Sequence, residues 1–79
     1  MLQPSPSGPD VAALPQPGPY RHYKGGLYTL ICVGRHSETE EWLVTYRAEA
    51  SGDYWVRPLA MWRESLTHGD RIVPRFAPL

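Results

Sequence analysis

Three short stretches collect the side chains able to do chemistry. Residues 34–42 read GRHSETEEW, setting His36, Ser37, Glu38, Thr39, Glu40 and Glu41 between apolar runs. YRHYK (20–24) supplies His22 and Lys24, and YWVRP (54–58) supplies Trp55 and Arg57. An imidazole beside a carboxylate could bind a ligand or, with a third donor, a metal. An indole next to a guanidinium suits a planar anion, by stacking and by paired hydrogen bonds.

Each stretch also has a plain structural account. Ser37-x-x-Glu40 fits a capping box, in which hydroxyl and carboxylate satisfy backbone donors reciprocally. On that account Ser37 and Glu40 turn the chain, which leaves His36, Glu38 and Thr39 to hold something. If YRHYK is extended, Tyr20, His22 and Lys24 point one way and Arg21 and Tyr23 the other. Neither face is cleanly apolar, as in an edge strand whose long side chains cover aromatic neighbours. In YWVRP, Trp55 and Arg57 share a face opposite Val56, and Arg57 could be used up in pairing with a loop acid such as Glu38.

Other chemistries are weaker. His22, His36 and Glu38 would satisfy zinc or iron, yet no two of them sit at close metal-ligand spacing on one element, and His68 is remote. Ser37 beside His36 is a poor catalytic pair. Cys32, amid Leu30, Ile31 and Val33, reads as a buried inert thiol. No catalytic residue, metal or cofactor is assigned.

Residues 1–19 hold six of the nine prolines and read as a disordered tail, which leaves 20–79 as a single domain. LPQPGP within the tail could lie as a polyproline ribbon on an aromatic surface. YRHYK and LYTLICV, joined by Gly25-Gly26, predict a hairpin with a tight turn. WLVTYRA (42–48) and YWVRP (54–58) follow as strands. LAMWRESL (59–66) has Leu59, Trp62 and Leu66 at helical spacing behind Pro58, HGD turns the chain, and RIVPRF adds an edge strand. Strand 27–33 is apolar on both faces, as if covered on both. The fold expectation is mainly β: a small SH3-like antiparallel barrel of four or five short strands with one short helix near the C-terminus.

With the pieces in order, YRHYKGG, HSETE, WVRP and the closing PRF resemble the small bacterial family known as domain of unknown function 1653. The likeness spans roughly residues 18–76. It implies an SH3-type barrel and no established activity. Its signature positions fall on Tyr20, Arg21, His22, Tyr23, Lys24, His36, Ser37, Glu38, Thr39, Trp55, Arg57 and Arg75. Trp62 departs from the pattern, which more often has phenylalanine there.

Bulk properties exclude some partners. The formal charge is zero, with eight basic and eight acidic residues, so duplex nucleic acid and membrane surfaces are poor fits. Single-stranded nucleic acid is a lesser candidate, because stacking tolerates neutrality. One cysteine excludes an intrachain disulfide, and no run is long and apolar enough to span a membrane. The expectation is a cytoplasmic monomer or weak homodimer that binds an anionic small molecule, nucleotide or peptide through His22, Lys24, His36, Glu38, Thr39, Trp55 and Arg57. The alternatives are polar motifs that only lock the barrel, or a metal-assisted hydrolase built on His36 and Glu38.

Overall fold

A computed structural model describes residues 14–79. Strands β1 (Gly18–His22), β2 (Leu27–Arg35), β3 (Trp42–Ala48) and β4 (Tyr54–Pro58) lead into one helical turn, α1 (Leu59–Trp62). Strands β5 (Ser65–His68), β6 (Arg71–Pro74) and β7 (Phe76–Pro78) complete the chain. All pairing is antiparallel: a five-stranded sheet in the order β4-β3-β2-β1-β7, and a separate β5-β6 hairpin. The mainly-β expectation holds. No ladder joins β4 to β7 among the described residues, so the large sheet is curled but not closed by hydrogen bonds.

The curl can be measured. On a flat sheet β3 and β7, three strands apart, would be separated by about 14 Å. The rings of Tyr46 on β3 and Phe76 on β7 lie 5.7 Å apart between centroids. Into this concavity α1 drops Leu59 and Trp62, both buried. Trp62 stacks on Phe76 at 3.8 Å with planes 7° apart, and meets Tyr20 and Tyr46 at 5.2 Å each. With Leu30 and Val44 these rings form the core. A domain this small has no disulfide among its described residues, and packed aromatics carry its stability.

Several expectations change for physical reasons. The β1–β2 connection takes four residues, 23–26: the His22 N–H donates to the Gly26 carbonyl and the Gly25 N–H to the His22 carbonyl. Gly25 has φ +104°, which glycine adopts freely, and a Cβ on Gly26 would sit 3.0 Å from the Tyr28 ring. Lys24 therefore lies in the turn, with its ammonium 5.8 Å from the Tyr23 ring centre, and not on the strand beside His22.

In β2 the ladder to β3 skips Ile31, a bulge that resets the alternation. Tyr28, Leu30 and Val33 thus share the inner face, and Cys32 is exposed instead of buried. The helix stops at Trp62, because Leu66 belongs to β5, paired with Val73. Residues before Tyr20 also join the domain: Leu14 packs on the core, and the Tyr20 hydroxyl donates to the Gln16 carbonyl at 2.8 Å. The rest of the expected tail, residues 1–13, lies outside the described residues.

Candidate functional site

Registers across β3 and β4 decide which side chains share a wall. Val44 faces Arg57 and Tyr46 faces Trp55, so Trp55 and Arg57 lie on the concave side with the core, and Val56, 59% exposed, lies on the convex side. An open cleft of about 450 Å³ runs along that wall, lined by Tyr28, Tyr46, Ala48, Ser51, Trp55 and Arg57. Trp55 stands at its rim, 53% exposed.

Arg57 is held from below. Its Nε donates to the Tyr46 hydroxyl at 3.3 Å, and its guanidinium lies 5.8 Å from the Phe76 ring centre. No carboxylate pairs with it among the described residues, where the ion pairs are Arg35–Glu40, Arg47–Glu49 and Arg75–Glu64. Glu49, past the end of β3, is held by the Thr29 hydroxyl and by Arg47; those hydrogen bonds keep its carboxyl below the usual range. The expected Glu38–Arg57 pair does not form.

His22, at the end of β1, packs its ring against Phe76 at 5.0 Å and Tyr28 at 6.1 Å, and its Nδ1 accepts the Lys24 N–H at 3.2 Å. Burial pushes its pKa down, and the positive charges of Arg75, Arg57 and Lys24 push it further the same way. The corner holding His22 and Arg57 is therefore cationic. Aromatic rings form its floor.

The HSETE turn is elsewhere. His22 lies beyond the Leu27 end of β2, while His36 follows its Arg35 end, nine residues or about 30 Å along the strand. There the roles reverse the capping-box expectation. His36 Nδ1 accepts the N–H groups of Glu38 (3.1 Å) and Thr39 (3.2 Å), and Thr39 Oγ1 accepts that of Glu41 (3.2 Å). The His36 N–H donates to the Glu41 carbonyl, and its carbonyl accepts the Glu40 N–H. Glu40, at φ 62°, pairs with Arg35 at 3.3 Å. His36 and Thr39 thus turn the chain.

A second cleft of about 470 Å³ lies between this turn and α1, lined by Thr39, Glu40, Glu41, Trp42, Leu59 and Arg63. The Trp42 Nε1–H there is sealed from solvent and meets no acceptor, so a ligand in the cleft could not reach it. Among the described residues no three His, Cys, Asp or Glu side chains gather where they could hold a metal. Sequence reasoning missed Tyr28, Tyr46 and Ser51 as cleft residues. Tyr46 was findable, since it lies two positions from the end of a strand whose hairpin sets it opposite Trp55.

Fold and site together define a small antiparallel β domain whose curled sheet presents an arginine on an aromatic wall. Residues 18–78 match the model of the family described as protein of unknown function, DUF1653. The chain belongs to this family. It is also similar to a DUF1653 protein of known crystal structure from Bordetella bronchiseptica, at 39% identity and a TM-score of 0.73, over 81% of this chain and 86% of that one. No curated protein matches. Among the described residues no helix is long and apolar enough to cross a membrane.

Proposed function

We propose that this protein is a non-catalytic binding module of the bacterial cytoplasm, and that its concave cleft takes an anionic small molecule with a planar face, such as a mononucleotide. The observation supporting this most is Arg57, a guanidinium fixed on Tyr46 and Phe76 with no carboxylate partner among the described residues. Desolvating an unpaired cation is costly, and an anion in the cleft would offset that cost. Trp55 supplies the stacking surface at the rim, and Tyr28 and Tyr46 the floor. His22 lines a separate cleft with Tyr23 and His68, but it packs on the same Phe76 ring as Arg57 and, when protonated, would add a second positive charge beside it.

For the HSETE turn the reading is structural, because His36 and Thr39 already serve backbone donors. That leaves the metal-assisted hydrolase idea without its imidazole in a reactive position. Titration of labelled protein with a nucleoside monophosphate, and separately with inorganic phosphate, tests the reading. Shift changes should concentrate on Tyr28, Tyr46, Ser51, Trp55 and Arg57. Changes confined to residues 36–41, or none at millimolar ligand, would overturn it.

A further inference from the structure

Strand β4 is hydrogen-bonded on one side only, to β3, and is the free edge of the large sheet. The bond from the Ala48 N–H to the Asp53 carbonyl, 2.9 Å, sets the phase of that ladder. In an antiparallel pair alternate residues bond inward, so Trp55 and Arg57 bond to β3 while the N–H and C=O groups of Tyr54 and Val56 point out of the sheet. Natural edges are usually blunted by charge, proline or shortness. The other edge obeys this: β7 is three residues, Phe76–Pro78, with a proline at its end. β4 is longer, five residues that also end in a proline after Arg57, but its first three, Tyr54, Trp55 and Val56, are 62%, 53% and 59% exposed with neither charge nor proline among them.

We infer that β4 is a self-association edge, on which the β4 of a second copy adds antiparallel about a two-fold axis through Trp55. Register and charge select this arrangement. Setting Tyr54 opposite Val56 of the copy uses every outward N–H and C=O of both residues on both chains. Centring on Val56 would oppose Tyr54 to Pro58, which has no N–H to give. Centring on Tyr54 would oppose Val56 to Gly52, whose N–H already donates to the Ala48 carbonyl. In the selected register Arg57 faces Asp53 of the copy, twice over, on the concave side. Each is otherwise without an oppositely charged partner among the described residues. Trp55 meets its own copy on the axis, as a close, non-hydrogen-bonded pair. Asp53 of the copy and a ligand's anion would meet the same guanidinium, so these two occupancies exclude one another.

Sedimentation of the full chain without added ligand, from 10 µM to 1 mM, tests this. The mass should rise toward twice the 9.0 kDa of one chain. Val56→Pro removes an outward N–H that has no intrachain partner, and Asp53→Arg sets like charges against Arg57 of the copy. Both variants should keep the wild-type melting temperature at low concentration and stay monomeric at 1 mM, the second covering the case in which the first fails to fold. A wild type that remains a monomer at 1 mM overturns the proposal, as does a folded variant that pairs as tightly as wild type.

Discussion

Two polar clusters, one in the HSETE turn and one around Arg57 on the concave wall, spend their side chains differently. At the HSETE turn, His36, Thr39 and Glu40 are consumed locally: two of them accept backbone N–H groups, and the third pairs with Arg35. At the Arg57 corner no carboxylate among the described residues pairs with the guanidinium, which keeps donors to spare over a floor of rings. Both are charged, and both are signature motifs. The difference lies in whether the backbone already uses them, which composition does not reveal.

The largest expected effect comes from breaking the unspent corner. Arg57→Ala should weaken mononucleotide binding by roughly 10- to 100-fold, since a hydrogen bond to a charged group contributes about 1.5–3 kcal/mol. Its effect on melting should be modest, because only the bond to Tyr46 and the packing on Phe76 are lost. A variant that binds as before while melting far lower would place Arg57 with the HSETE residues, as a lock on the fold.

His36→Ala makes the complementary break. Removing an acceptor for two backbone donors should cost about 1–2 kcal/mol, comparable to losing a helix cap, and denaturant unfolding would read it as a lower midpoint. Binding in the cleft should not change. Trp55→Ala sharpens the contrast from the other side: about tenfold weaker binding, in line with about 1–3 kcal/mol for a stacked base, with no loss of stability from a half-exposed ring. Should Trp55→Ala melt early and bind normally, the rim would be a packing element.

Part of this was legible from the chain. WLVTYRA and YWVRP are β3 and β4 to the residue, because β-branched and aromatic runs between turn signals leave little choice. The pairing of Trp55 with Arg57 on one face followed from simple alternation, although alternation alone did not say which face is outward; Val56 is the outward residue. The Ile31 bulge was hidden, since a single skipped partner leaves no mark in a strand already apolar on both faces. Leu66 fitted helical spacing, and only its partner Val73 decides for a strand. The role of His36 was hidden because an imidazole accepting backbone donors looks, in sequence, like one awaiting a ligand.

Acidity separates the two corners with the smallest effect. Burial and the charges of Arg75, Arg57 and Lys24 hold the folded-state pKa of His22 below its ordinary 6.5. The unfolded chain therefore takes up this proton first as pH falls. Stability is complete above about 6.5 and declines as pH drops through the window between the unfolded and the depressed folded value. A bound anion works against this penalty, because it favours the protonated ring. Ligand-free protein should melt earlier at pH 5.5 than at 7.5, while phosphate or nucleotide should narrow that gap by binding more tightly at the lower pH. His22→Gln should flatten the part of both trends that the imidazole supplies. If the variant keeps the full pH dependence of binding, the proton sits elsewhere, and the cationic corner rests on Arg57 alone.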